Sequence, residues 1–430
     1  MDKEKEAGFL QRTTTIMIIT VLSKYITVYA FNVGLARLLS PEDYGDYKVA
    51  ETFVSLASIP VLMGGATAAL KFLPLAFKES NLELIWEYTR FYLVTVLTLS
   101  FLLALTTYAI SMSFLEDTSL SQHHPLVYAT AVVPVMAITV LIGSVFQSKN
   151  MIYMTIFPRW IFYPILKLGL IFALYALVGK LTDSWAIMIA FTAILIILFY
   201  LLIKVKKLGL IRLQKIKNPT SPLIWLKISI PMMLLFFLQR TLNQIDIYMI
   251  EIFANEDAVG HFAAAQITVM VLFAIQSSFM IIFDPLMTPA LKEGKHEIKK
   301  LNAKGFRLLI LSTVPISLLL FLFPDTILSV FGHNEPAAAT TLQILVPGYL
   351  FSAMFAMPYS WLQYSGQERN VTIIMFTSVT LSVVLDGLLI PDYGIQGAAV
   401  ATTAMFFFTF IVLSMMLKRH LGIYPWSKAK

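Results

Sequence analysis

Long apolar runs broken by short polar turns fill most of this chain. Crossing about 30 Å of hydrocarbon takes roughly 17–25 residues of helix. By that length the pattern predicts about twelve spanning segments. They run over 13–35, 49–76, 89–113, 126–148, 155–178, 184–204, 228–251, 258–287, 306–324, 338–364, 371–390 and 395–417. Backbone facing lipid must satisfy its own hydrogen bonds, and the short alternating strands of a membrane barrel are absent, so the segments read as helices. The expected fold class is an all-α integral membrane protein.

Composition agrees. The 430 residues are 58% hydrophobic and 13% charged, against about 25% charged in soluble domains. With Lys and Arg sorted by position, 25 of the 32 fall in the N-terminal tail, the loops after even-numbered segments and the C-terminal tail. Three (Arg37, Lys48 and Lys180) fall on the other side, and Lys24, Lys71, Lys167 and Arg240 lie within segments. Positive charge stays inside, so both termini are expected in the cytoplasm. The start, MDKEKEAGFLQR, is mixed in charge and leads into a run longer than a signal peptide needs; it reads as a retained cytoplasmic tail. Net charge of +7 in such a chain carries no implication of nucleic acid.

One charged turn recurs. With Gly45 set on Gly260, LARLLSPEDYGDYKVAE lies over IEIFANEDAVGHFAAAQ, an offset of 215 in a chain of 430. Two homologous six-helix halves follow. Six is even, so the repeats are parallel. The expected organisation is an N-lobe over 1–203, a basic linker over 204–227, a C-lobe over 228–418 and a tail over 419–430. The linker reads as a topology-setting connection or as a site for anionic lipid headgroups. In the turn itself, Gly45 and Gly260 suit a tight reversal. Arg37 reads as an ion-pair partner of Glu42, Asp43 or Asp46, or as a substrate contact.

The same stretches, with LLIPDYGIQGAAVATT around Gly394 and FDPLMTPALKEGKHEIKKL, resemble the polysaccharide transporters, the Wzx-like O-antigen flippases. These belong to the superfamily of the multidrug and toxic compound extrusion proteins and the lipid II flippase. The resemblance covers essentially the whole chain. It implies two lobes around a central cavity, open alternately to each side. It also implies a cargo, a polyprenyl-pyrophosphate oligosaccharide moved to the outer leaflet, and work beside membrane lipids and the polysaccharide polymerase and assembly proteins.

A charge at mid-helix costs at least ~2.5–3.5 kcal/mol, so each is a functional candidate. Lys24, Lys167 and Arg240 are read as cargo-binding cations, with Lys71 able to snorkel instead. Gln239, Asn243 and Asp246 follow i, i+4, i+7 on one expected helix face beside Arg240; the amides serve as cargo contacts or as helix glue. Glu51 and Asp386 read as outward and Asp284 as inward, leaving the midplane basic. Asp246, Asp284, Glu51 and Asp386 are the candidates for coupling to a proton or sodium gradient. Thr20, Lys24 and Thr27 share a face of the first segment. Gly64–Gly65, between Pro60 and Pro74, suit either a bend or close packing.

A basic midplane suits a pyrophosphate and opposes a cationic drug, which makes the flippase the first reading and an ion-coupled multidrug antiporter the alternative. No cysteine is present, none of the histidines (His123, His124, His261, His296, His333 and His420) has metal-ligand spacing, and no phosphate-binding GxxxxGK[ST] loop occurs. Neither a cofactor, a structural metal nor an enzymatic activity is expected.

Overall fold

In a computed structural model, residues 3–114, 125–211, 221–332 and 335–427 are described. The linker stretch 212–220 and His123, His124 and His333 lie outside them. In chain order the helices are α1 (Lys3–Leu38), α2 (Pro41–Val61), α3 (Gly65–Lys78), α4 (Leu82–Phe114), α5 (Pro125–Ser148), α6 (Ile152–Ile156), α7 (Tyr163–Val178) and α8 (Asp183–Lys207). Then follow α9 (Pro222–Thr241), α10 (Ile245–Phe253), α11 (Glu256–Val269), α12 (Val271–Glu293), α13 (Lys295–Leu322), α14 (Pro324–Leu328), α15 (Pro336–Tyr364) and α16 (Glu368–Leu421). Among the described residues, ten helical stretches are long and apolar enough to cross a membrane, or eleven with α2 and α3 taken as one bent span.

The helices form two compact units, one of residues 38–241 and one of residues 1–37 with 242–430. Each holds most of one expected lobe and exchanges one helix, α1 lying in the second unit and α9 in the first. In the first unit α5 is central, packed on α2, α3, α4 and α8. Its core includes Phe146, Ile197 and Leu201. In the second unit α15 takes that place, against α11, α12, α13 and α16, around Met287, Met357 and Trp361.

The charged turn acts as a cap. Ser40 is the N-cap of α2, with Pro41 at the first helical position. Its hydroxyl oxygen accepts the Asp43 N–H at 3.1 Å and donates to the Asp43 carboxylate at 2.6 Å. The other Asp43 oxygen accepts the Asp183 N–H at 3.2 Å, where α8 begins. Orphan N–H groups at two helix starts are thereby satisfied. Exactly half a chain later, Asn255 caps α11 by accepting the Ala258 N–H at 2.8 Å. The reversal is therefore made by Ser40 and Asn255 with extended backbone, while Gly45 and Gly260 sit buried in the first helical turns. Arg37 donates Nε–H to the Val330 carbonyl at 2.7 Å, and among the described residues it has no ion pair.

Two breaks matter. Between α2 and α3 the chain bends by 48° at Met63 and Gly64, both with positive φ (48° and 74°). A Cβ on Gly64 would stand 2.2 Å from the Ser229 carbonyl oxygen of α9, so bend and close packing, offered as alternatives by the sequence, coincide at one residue. In α16, Gly394 has φ 56° and ψ −137°. Its two arms lie side by side, since the Ser378 and Thr409 hydroxyls are 2.7 Å apart.

Candidate functional site

Lys167 of α7 is 3% exposed. Its ammonium donates to the Tyr47 hydroxyl at 2.8 Å and to Glu51 at 3.1 Å, and lies 4.7 Å from the Tyr163 ring centroid. Lys48 holds the other Glu51 oxygen at 2.6 Å. Glu51 thus carries two lysines within the first unit. Lys167, expected as a cargo cation, is spent on an internal carboxylate, and Glu51, expected as a coupling acid, is its counter-ion. The sequence separates the partners by 116 residues, which is why neither could be read as half of a pair.

A different cation stands in this unit. α6 passes into a π-helical turn, Phe157–Phe162, in which the Tyr163 N–H reaches back to the Pro158 carbonyl. Proline has no N–H to give to the ordinary ladder, and π turns often sit at functional positions. The turn carries Arg159, half-buried, whose charged neighbour is Arg240 of α9. Arg240 also donates Nε–H to the Ser55 hydroxyl at 3.1 Å. Among the described residues Arg159 has no ion pair. Sequence reading counted Arg159 with an inside loop; the signal it passed over is a Pro–Arg step inside the apolar run IFPRWIF.

The expected face of Gln239, Asn243 and Asp246 does not exist as one helix. α9 ends at Thr241 and α10 begins at Ile245, so Gln239 and Arg240 lie in the first unit and Asn243 and Asp246 in the second. The Gln266 amide donates to the Asn243 carbonyl at 3.2 Å, replacing a helix bond lost at the break. Gln266 stands 215 residues after Glu51. One repeat position therefore holds a lysine in one unit and broken backbone in the other.

The acids are not dispersed either. Asp246 of α10 and Asp386 of α16 are 1% and 0% exposed, and their carboxyl groups face one another. The Thr402 and Ser382 hydroxyls lie beside them. The turn at Gly394 makes this possible by folding the arm with Thr402 back along the arm with Asp386. No carboxylate oxygen of the pair has a hydrogen-bond donor in bonding geometry among the described residues. The sequence reading took Asp386 as outward and only Asp246 as moderately deep, and did not pair the two. Asp284 is half-buried beside Ser360, Lys71 is exposed, and Lys24 lies 5.3 Å from the Tyr25 ring centroid. Thr27 turns its hydroxyl back onto the carbonyls of Ser23 and Lys24.

The sequence pattern of a family described as "Polysaccharide biosynthesis protein" matches residues 10–291, well over half the chain. This chain is a member of that family. A second family, MatE, matches residues 231–388 of this polysaccharide biosynthesis protein. The family member is 26% identical over 163 residues to the "Probable low-salt glycan biosynthesis flippase Agl15" of Haloferax volcanii, covering 37% of this chain. It spans only about a third (34%) of the length of the curated relatives it matches. Among solved structures it resembles "Lipid II flippase MurJ, inward closed conformation", with a TM-score of 0.74 and 13% identity over 94% of this chain and 87% of that one. It likewise resembles an inward-facing multidrug resistance MATE family transporter of the MOP superfamily, with a TM-score of 0.70 and 14% identity over 94% and 98%. The fold is that of these transporters, and the protein is a multi-pass protein of the cell membrane. One curated relative is named as a probable flippase, and the solved structures it resembles are a flippase and a transporter.

Proposed function

We propose that this protein is a flippase that moves a polyprenyl-pyrophosphate-linked oligosaccharide from the inner to the outer leaflet for surface polysaccharide assembly. The observation that carries the reading is that Arg159 and Arg240, both in the first unit, lie near enough to repel each other. Two like charges in membrane-spanning segments repel each other and are costly, so they mark a functional site. A pyrophosphate fits: guanidinium forks bind its oxygens in parallel pairs and replace the water it loses in transit. The flippase named among the relatives supports the same reading. With α16 taken as two spans about Gly394, and α2–α3 and α9–α10 as bent spans, the chain crosses twelve times with both ends in the cytoplasm. Transport proceeds by alternating access, with membrane lipids and polysaccharide-assembly proteins as partners.

Asp246 and Asp386 supply the coupling. Two adjacent buried carboxylates need a positive charge between them, and a proton or a sodium ion held with the Thr402 and Ser382 oxygens provides it. The same pair favours one second reading, an ion-coupled exporter of cationic compounds. A strain lacking this gene separates the two. Accumulation of lipid-linked oligosaccharide on the inner leaflet supports the flippase, whereas intact surface polysaccharide with sensitivity to cationic toxins supports the exporter.

A further inference from the structure

A cavity of about 720 Å³ opens in the first unit between α4, α5 and the end of α8. That volume lies within the range of sites that enclose small ligands. Its wall is apolar, with Leu93, Ile138 and Leu202 along it and Trp86 beside them. Leu202 is 46% exposed, so the cavity opens at the surface of the unit. Lys206 and Lys207 line the same cavity. Both are exposed, and among the described residues neither has an ion pair or a hydrogen bond. They stand in the last turn of α8 together with Lys204, where cations offset the helix dipole. Lys204 turns away onto the Tyr200 ring, 5.4 Å from its centroid. Lys206 and Lys207 remain to face whatever enters the cavity.

We propose that this cavity is a site for an anionic glycerophospholipid, its acyl chain against Leu93, Ile138 and Leu202 and its phosphate at Lys206 and Lys207. An apolar wall ending in unpaired ammonium groups matches a molecule with a long apolar tail and a single anionic head. Basic pockets between spanning helices hold acidic headgroups on the same physical grounds. A zwitterionic lipid offers the same tail and phosphate, but its own ammonium offsets the charge and it gains less from the lysines. Tryptophan suits such a boundary, with an apolar body and one polar N–H. The site uses none of the residues assigned to cargo or coupling, so its failure would leave the flippase reading untouched.

The test uses the full-length protein, stripped of lipid in detergent and titrated with phosphatidylglycerol or phosphatidylcholine of identical acyl chains. Retention is read by native mass spectrometry. Saturable binding of one phosphatidylglycerol is expected, weakened about 25-fold in the double variant Lys206→Gln/Lys207→Gln, from roughly five-fold for each lysine, with a smaller loss for phosphatidylcholine. Phosphatidylglycerol brominated on its acyl chain should quench emission in the wild type, and Trp86→Phe should remove that quenching. Equal retention of the two lipids, or undiminished retention by the double variant, overturns the proposal. Displacement of bound phosphatidylglycerol by substoichiometric polyprenyl phosphate assigns the cavity to the cargo's tail and equally overturns it.

Discussion

The ammonium of Lys167 lies 3.1 Å from the carboxylate of Glu51, and both belong to one compact unit. A lysine this buried cannot keep its charge without such a partner. Glu51→Gln should therefore destabilise the protein more than Lys167→Met, which leaves Glu51 paired with Lys48. Removing one partner of a buried pair costs about 3–5 kcal/mol, and the partial exposure of Glu51 places its loss at or below the lower end. The double variant should recover part of that loss. Thermal unfolding in detergent measures all three.

Both caps should contribute stability. Ser40→Ala and Asn255→Ala each remove a hydrogen bond to the third helical residue, at a cost of about 1 kcal/mol. Downward shifts in denaturation midpoint are expected for both, the larger for Ser40→Ala, which also loses the bond to the Asp43 carboxylate, with transport retained. A loss of transport without loss of stability in either variant would assign that residue a role beyond capping.

Gly64→Ala should sharply reduce folded protein in the membrane. Its φ is +74°, and the new methyl would meet the Ser229 carbonyl at 2.2 Å, a backbone atom that cannot step aside. Gly169→Ala is the control, since nothing stands within 4 Å of the added carbon. Alanine in place of a helical glycine gains up to about 1 kcal/mol. Quantifying detergent-extracted monodisperse protein for both variants decides the matter.

Asp246→Asn and Asp386→Asn should each uncouple transport from the driving ion. In vesicles, export by the wild type should rise with an imposed sodium or proton gradient, and in either variant it should no longer respond. The amide removes one negative charge from the pair, and with it the need for a cation between them. An unchanged gradient response in both variants would remove the pair from the mechanism.

The all-helical, multi-span character and the charged turn were legible because each is a local pattern; of the twelve expected spans, the described residues show ten, or eleven with α2 and α3 taken as one. Ser40 and Asn255 stand 215 residues apart within alignable stretches, so the repeat could be read before either was seen to be a cap. Pairings that depend on the packed fold were not legible. Thr402 reaches Asp386 because the chain doubles back at Gly394, Asp246 meets Asp386 from a separate helix, and Lys167 finds Glu51 across 116 residues. The break after Thr241 was hidden for another reason: LNQ scans as helix, and only Gln266, from another helix, shows why the backbone can open there. Arg159 escaped because it was sorted with the basic inside loop although it falls within the segment 155–178.

The most direct test of the account concerns the arginine pair. In a strain lacking the native gene, wild-type protein, Arg159→Gln and Arg240→Gln would each be expressed and the membrane lipids extracted. The account predicts that both variants reach the membrane at wild-type level, yet accumulate polyprenyl-linked oligosaccharide and lose surface polysaccharide. Normal lipid-linked pools and normal surface polysaccharide in both variants would contradict it.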